Sequence, residues 1–358
     1  MSHVPEKFTG YAALTEEEGK KLSLKPWSFR PKKFEEDDVT IKVTHCSICA
    51  TDVHQLTNGW KDTMPQSYPC ICGHEITGVV VEAGKNTTHS IGDRVGVGYQ
   101  AWSCLECSFC KSGYTQYCEK GMQETMQGVF EDGTVAQGGF ADFMRTKGAF
   151  AVKLPESLTN EEAAPFFCAG VTVWSPLKRF EAGPGKKIGI IGIGGLGHLA
   201  LLFSKAMGAD TYALSSSDRK REDCAKLGID EDHYINYSKH EETLASSLKS
   251  FDMILSTTPG KGMPLESLFF KLLKPFGSFV IAGLPEEKLP AVYGQAFLQG
   301  ISLTGTLIGS PQMISEMLHF VAEHNIRPWT EVRDMKDIEH ALKDVELGKP
   351  RYRYVLKN

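Results

Sequence analysis

The sequence has no apolar run approaching the roughly 18 residues that a membrane-spanning helix needs. Its opening stretch, Met1 to Lys21, is polar and lacks the apolar centre of a secretory leader. These two absences predict a cytoplasmic protein with no membrane partner. A surplus of positive charge is missing too: 39 Lys and Arg stand against 44 Asp and Glu, leaving a formal net charge of −5. A nucleic-acid binder is usually basic, so that class is set aside. Internal repeats and low-complexity tracts are absent. Cysteine is scarce in the second half, where only Cys224 follows Cys168.

The other nine of the ten cysteines lie between Cys46 and Cys168. Disulfides are not expected in a large chain without a leader, so metal ligation becomes the leading explanation. The 358 residues exceed one ordinary core and predict two domains. Hydrophobic residues at 41% and charged residues at 23% suit a globular enzyme.

Up to about residue 155 the chain reads as β-rich, with short runs at Val39–Thr44, Thr77–Glu82 and Arg94–Tyr99 bounded by turn residues. From Asn160 to Gly309 strands alternate with helices. The strands are Lys187–Ile191, Thr211–Ser215, Phe251–Ser256, Ser278–Ala282 and Ser302–Leu307. The helices include Gly195–Met207, Arg219–Leu227 and Leu265–Leu273. Such alternation predicts an α/β fold with a parallel sheet. Two further helices, near Met313–His324 and Ile338–Leu347, precede a last strand at Tyr352–Leu356.

The strand Lys187–Ile191 runs into Gly192-Ile193-Gly194-Gly195-Leu196-Gly197, and a helix follows. This GxGxxG, placed strand–turn–helix, predicts dinucleotide binding. Gly192 permits the tight turn, Gly194 a close approach of backbone to pyrophosphate, and Gly197 the packing of helix on strand. An NAD site carries an acid about 20 residues further on, bonded to the ribose 2′-hydroxyl. Ser215-Ser216-Ser217 stands there, followed by Asp218-Arg219-Lys220. Small hydroxyls leave room for a 2′-phosphate, and Arg219 and Lys220 supply positive charge, so NADP(H) is expected. In the alternative, Asp218 is the ribose acid and the basic pair is solvated.

Cys104-x2-Cys107-x2-Cys110-x7-Cys118 is the strongest signal. Four close thiolates suit a closed tetrahedral zinc, with an iron–sulfur cluster as the weaker alternative. A zinc with all four positions filled has a structural role, tying down a polar lobe with little core. A second set is dispersed: His45, Cys46, Cys49, Asp52 and His54, then Gly73-His74-Glu75, then Cys168. A catalytic zinc takes three protein ligands and keeps one position open, and two cysteines with one histidine is a known set. Spacing alone does not choose among Cys46, Cys49, Cys70 and Cys72.

Together these residues resemble the zinc-containing medium-chain alcohol dehydrogenases, in their NADP-dependent, cinnamyl alcohol dehydrogenase-like branch. The resemblance covers nearly the whole chain. It rests on Cys49-x-Thr51-Asp52-x-His54, Gly73-His74-Glu75, the four-cysteine lobe, Gln137-Gly138-Gly139-Phe140-Ala141, Cys168-Ala169-Gly170-Val171-Thr172, the triple serine and Arg351-Tyr352-Arg353. It implies a GroES-like β-rich catalytic domain with the zinc lobe, residues 1–160 and 309–358, and a doubly wound Rossmann NADP-binding domain, residues 161–308, in a homodimer. It makes Cys49, His74 and Cys168 the ligands of the catalytic zinc, with Glu75 an acid able to approach that metal and Asp52 the partner that fixes His74. On the nucleotide side it marks Thr172, Gly192 to Gly197, Ser215 to Ser217, Arg219, Lys220, Thr257, Gly283, Thr306, Leu307 and Ile308.

The implied cofactors are two Zn²⁺ per chain and NADP(H). The implied reaction moves hydride between NADP(H) and a primary alcohol or aldehyde, aromatic, allylic or medium-chain. Thr51 gives the proton, relayed through the cofactor ribose to His54 at the surface. The alternatives are reduction of an activated C=C bond on the same fold and a non-enzymatic zinc-binding role. Three departures stand out. Cys70-Ile71-Cys72 replaces the family's apolar residue and proline before Gly-His-Glu, and both cysteines are read as packing residues. Cys46 is additional beside Cys49. Glu119 to Gln123 lacks the tryptophan of the plant enzymes' aromatic pocket.

Overall fold

A computed structural model describes residues 4–239, 245–258, 262–284 and 288–358. The chain divides into two compact units, Met1–Val171 with Ile308–Asn358, and Thr172–Leu307. Among the described residues no helix is long and apolar enough to cross a membrane.

The first unit is built on a seven-stranded sheet among the described residues. Its order is Thr330–Asp334, Arg353–Lys357, Asp38–Ser47, Glu75–Ala83, Arg94–Val97 and Ala151–Lys153, with Phe143–Lys147 also paired to Asp38–Ser47. The long strand Asp38–Ser47 organises it. Val39, Ile41 and Val43 alternate into the core and bring β-branched residues to a pleated surface. Its end carries the functional geometry. Ser47 lies opposite Glu75 in one antiparallel ladder and opposite Val355 in the other. The first and last parts of the chain therefore meet beside Gly73-His74-Glu75.

The second unit carries a six-stranded parallel sheet among the described residues. Its order is Tyr234–Asn236, Asp210–Ser215, Lys187–Ile191, Phe251–Ser256, Leu273–Ile281 and Ser302–Gly305. In chain order this is 3-2-1-4-5-6, the doubly wound dinucleotide-binding arrangement. Its inner strands Lys187–Ile191 and Phe251–Ser256 are nearly continuous buried apolar runs, because both faces are covered there. Ile191, Leu214, Ile254, Phe269 and Phe279 belong to one buried cluster.

Most of the expected elements form within one or two residues of their predicted ends, and the largest difference is at Leu265–Leu273. There a π-helical turn, Leu265–Phe269, and a short helix, Phe270–Leu272, give way to a strand that already begins at Leu273. Leu273 pairs with Phe251, so sheet formation stops the helix. Pro275, which has no N–H to give a helix, follows at once. Among the elements that the sequence pattern does not mark are the helices Ala50–Leu56 and Ala169–Arg179 and the strands Phe143–Lys147, Ala151–Lys153, Tyr234–Asn236 and Thr330–Asp334. The second helix tolerates Pro176 within its span.

Candidate metal centres and nucleotide site

Cys49, His74, Glu75 and Cys168 converge in the first unit. All four are buried, and one ligand atom from each lies within 4.8 Å of the others. Three backbone segments hold them. Cys49 is the N-cap of the helix Ala50–Leu56, and Asp52 is its third residue. Asp52 accepts the Cys49 N–H at 2.8 Å and the Gly73 N–H at 2.9 Å. Its Oδ1 also lies 2.9 Å from His74 Nδ1. One fully buried carboxylate thus joins two of the segments and fixes the imidazole.

A carboxylate facing Nδ1 makes that nitrogen the donor and leaves Nε2 as a lone-pair donor to a metal. His74 Nε2 is buried and has no hydrogen-bond partner among the described residues. An orphan of that kind, aimed among two thiols and a carboxyl, fits a metal ion. Hydrogen bonding with Cys168 draws the Cys49 thiol well below its ordinary range, against burial, and His74 and Arg353 add to the effect. The site therefore favours a thiolate.

Glu75 is tied back rather than free. Its Oε1 accepts the Ala169 N–H at 3.0 Å, and its Oε2 pairs with the Arg353 guanidinium, which also donates to Ser47 Oγ at 3.2 Å. Burial raises the Glu75 carboxyl despite Arg353. Cys46, Cys70 and Cys72 are buried but lie outside the cluster; Cys70 Sγ and Cys72 Sγ are 3.5 Å apart.

The second cluster, Cys104, Cys107, Cys110 and Cys118, also has its four sulfurs within 4.8 Å. Cys104 Sγ and Cys110 Sγ are 3.9 Å apart. A tetrahedron with zinc–sulfur bonds of about 2.3 Å has edges of about 3.8 Å. Backbone N–H groups point at the sulfurs: Cys107 N–H donates to Cys104 Sγ, and Cys104 N–H to Cys118 Sγ, both at 3.4 Å. Donation from the Glu106 and Cys107 N–H groups lowers the Cys104 thiol to about 6. Leu105, in the left-handed region at φ 58°, makes the turn that aims them.

In the second unit Gly192 follows the strand Lys187–Ile191 at φ 84°. A Cβ on Gly197 would strike the carbonyl oxygen of Gly192, whereas one on Gly194 would meet nothing within 4 Å. The turn is closed towards the protein and open outwards, as a pyrophosphate requires. Thr257 Oγ1 donates to the carbonyls of Gly192 at 2.6 Å and Ile191 at 3.0 Å. On the neighbouring strand Ser215 ends the ladder with Tyr234–Asn236, and Ser216 is exposed. Arg219 Nε reaches Ser217 Oγ at 3.4 Å. Asp218 is occupied by Arg221 at 3.2 Å and Lys239 at 3.4 Å.

Residues 35–156 match the alcohol dehydrogenase GroES-like domain, and residues 195–323 match the zinc-binding dehydrogenase domain. The chain is 37% identical to NADP-dependent alcohol dehydrogenase 6 of Saccharomyces cerevisiae, over 98% of this chain and 97% of that protein. It belongs to the zinc-binding medium-chain alcohol dehydrogenase family. It is also 40% identical to NADP-dependent alcohol dehydrogenase C 1 of Mycolicibacterium smegmatis, over 89% of this chain and 90% of that protein. A solved cinnamyl alcohol dehydrogenase of Sorghum bicolor matches with 36% identity and a TM-score of 0.89, over 98% of this chain and 97% of that one. CAD of Helicobacter pylori, solved with NADP(H), matches with 31% identity and a TM-score of 0.87, over 98% of each chain.

The other expected site residues of this dehydrogenase take the following places. Thr51 Oγ1 is 3.7 Å from Cys49 Sγ. His54, half-buried, lies on the same short helix with its ring 4.8 Å from that of Trp60. Thr172 opens the second unit, Leu307 closes it, and Ile308 belongs to the first. Thr306 N–H bonds to Ile281 at the carboxyl end of the neighbouring strand. Gly283 sits where a Cβ would strike the Thr258 carbonyl. Two further residues act at the cluster without a signature in the sequence: Arg353, which holds Glu75, and Tyr99, whose ring meets that of His74 edge-on at 5.4 Å. Tyr99 lies in the bend after Arg94–Val97, where no pattern in the sequence marks it.

Proposed function

We propose that this dehydrogenase interconverts a primary alcohol and its aldehyde with NADP(H), using zinc at Cys49, His74 and Cys168, while a second zinc is enclosed by Cys104, Cys107, Cys110 and Cys118. The observation that carries this reading is the buried Nε2 of His74, without a protein partner among the described residues and surrounded by Cys49, Cys168 and Glu75. The printed names of relatives in yeast and Mycolicibacterium, both NADP-dependent alcohol dehydrogenases, point the same way. Bound zinc supplies Lewis acidity to the reacting oxygen and the nicotinamide supplies the hydride.

Two thiolates and one neutral imidazole carry a charge of −2, matched to a divalent cation. Asp52 holds His74 in the tautomer that leaves Nε2 available. Arg353 and the Ala169 N–H hold the Glu75 carboxylate, so that it is not a fixed fourth ligand. The Thr51 hydroxyl, beside Cys49, holds the proton that the reacting oxygen gives up or takes. His54, three residues on and so on the same face of the helix, passes it outwards. Ser215 to Ser217 with Arg219 and Lys220 receive the 2′-phosphate. Asp218 does not take a ribose hydroxyl there, because it is held by Arg221 and Lys239.

Consumption of NADPH and NADH with benzaldehyde, cinnamaldehyde and a conjugated enal, with product identification and zinc analysis, tests this. The expected result is the alcohol, made with NADPH, by protein carrying two zincs per chain. A saturated aldehyde as product would replace the reading with C=C reduction. Ser216→Asp should shift the cofactor preference towards NADH by roughly tenfold or more through charge repulsion of the 2′-phosphate. An unchanged preference would show the phosphate to bind elsewhere.

A further inference from the structure

Between the strands Arg94–Val97 and Gln100–Trp102 the chain bends, and two successive residues turn to different sides. Gln100 turns towards the cysteine lobe, where its amide exchanges hydrogen bonds with Thr115 at 2.9 and 2.8 Å. Tyr99, one residue earlier, turns the other way and sets its ring against His74. The Tyr99 hydroxyl lies within hydrogen-bonding reach of Gln55 and Glu124, Glu124 also within reach of Gln127, and both Tyr99 and Glu124 sit within electrostatic reach of the metal cluster. Glu124 is held there by its backbone. It pairs with Gln100 in the short ladder, and the adjoining Thr125 N–H donates to the Tyr99 carbonyl at 2.7 Å. Gln55 comes from the helix Ala50–Leu56, four residues beyond Thr51 and so on the same face as the proposed proton donor.

Three polar groups thus converge beside the cluster, yet their hydrogen-bonding capacity is not used up. Gln55 is 1% exposed, and neither its Oε1 nor its Nε2 has a partner among the described residues. Glu124 Oε2 is buried and also without one. Native interiors seldom leave such atoms unpaired, because each unpaired group loses its hydration for nothing. We infer that Gln55, Tyr99 and Glu124 form a hydrogen-bonding wall of the substrate site, and that the preferred substrate carries a hydroxyl group besides the reacting carbonyl or carbinol. A hydroxyl both donates and accepts, so it satisfies the Glu124 oxygen and the Gln55 amide N–H together. An ammonium group has no acceptor for the amide, and a hydrocarbon leaves all three atoms unpaired. This inference rests on the reading of Cys49, His74 and Cys168 as the reacting centre.

The test compares matched aldehydes with the zinc-loaded protein and NADPH: 5-hydroxymethylfurfural against 5-methylfurfural, 4-hydroxybenzaldehyde against benzaldehyde, and lactaldehyde against propanal. In the pair whose spacing fits the wall, kcat/KM should favour the hydroxylated member by about tenfold or more. Glu124→Leu and Gln55→Leu should each bring that ratio towards one, and Glu124→Gln should keep most of it. Zinc content and melting temperature identify any variant that has not folded. Calorimetry of the unreactive amides 4-hydroxybenzamide and benzamide with the NADP⁺-bound protein gives a second readout, independent of turnover. Binding preference without turnover on any aldehyde supports the wall and overturns the dehydrogenase reading. Turnover at equal rates in every pair, or a ratio unchanged in both leucine variants, overturns the wall alone, and an ordered water would then be the partner of these atoms.

Discussion

The two cysteine-rich clusters use similar ligands but gather them in opposite ways. Cys104, Cys107, Cys110 and Cys118 come from one short segment, and local backbone N–H groups point at their sulfurs. Cys49, His74 and Cys168 come from three segments that only the folded sheet brings together. Asp52, three residues from Cys49, reaches across to fix His74, and Glu75 beside them is held by Arg353 from the far end of the chain. A local set can close around its metal with nothing else required. A dispersed set can be held at three ligands, because distant groups decide how near the fourth comes. The comparison teaches that the number of open positions is controlled by what lies behind the ligands as much as by the ligands themselves.

Cys49→Ala strikes this comparison hardest. Removing a ligand of the open cluster should cost several kcal/mol of transition-state stabilisation, a fall of roughly a thousandfold or more in kcat/KM. Metal analysis should show one zinc lost and one kept. Full activity with both zincs retained would reject the ligand set.

Cys107→Ser should give the converse result. The lobe is the connection between the strands Gln100–Trp102 and Gln123–Glu124, so its metal tethers both sides of the substrate wall. The variant should lose the other zinc, become sensitive to proteolysis between Cys104 and Cys118, and melt roughly 5–10 °C lower. It should keep zinc at Cys49, with a lower preference for hydroxylated aldehydes. Loss of both zincs together would show that the clusters are not independent.

The same contrast explains what could be read from the chain. The lobe was legible because its chemistry is its spacing. The glycine turn was legible because a strand, a turn and a helix follow one another without interruption. For the open cluster, Cys46, Cys49, Cys70 and Cys72 are equivalent by spacing, and only the resemblance separated them. The structure gives the reason: Cys49 caps a helix and faces His74, while Cys46 packs towards Gly73 and Gly139, and Cys70 and Cys72 pair with each other. The role of Arg353 is not legible because its partner Glu75 is 278 positions away. The helix Ala169–Arg179 was hidden by Pro176. Leu265–Leu273 was read as one helix because its apolar pattern does not show that Leu273 pairs with Phe251.

Asp52→Asn should act more mildly than loss of a ligand. The amide can still accept from the Cys49 and Gly73 N–H groups, but it no longer supplies negative charge opposite His74 Nδ1. Partners of this type typically change metal affinity by about 10- to 100-fold. Competition with a zinc chelator, read separately for each site, should show that loss at the open cluster and none in the lobe. Equal weakening at both would mean that Asp52 supports the unit as a whole.

The smallest effect is expected at His54, and it separates the clusters by what each requires. A closed metal needs no path for protons, whereas an open one does. His54 shares a helix face with Thr51, is only half-buried and rests against the Trp60 ring. A direct proton donor contributes about 10²–10⁴ in rate, and an exit group that water can replace contributes less, so His54→Ala should slow turnover by roughly three- to tenfold. Zinc should stay at both clusters, since His54 is a ligand in neither. The pH profile of turnover should flatten on the side where His54 carried the proton, and added imidazole should restore part of the rate. A profile that superimposes on that of the unchanged protein would take His54 out of the relay and leave Thr51 to exchange its proton by another route.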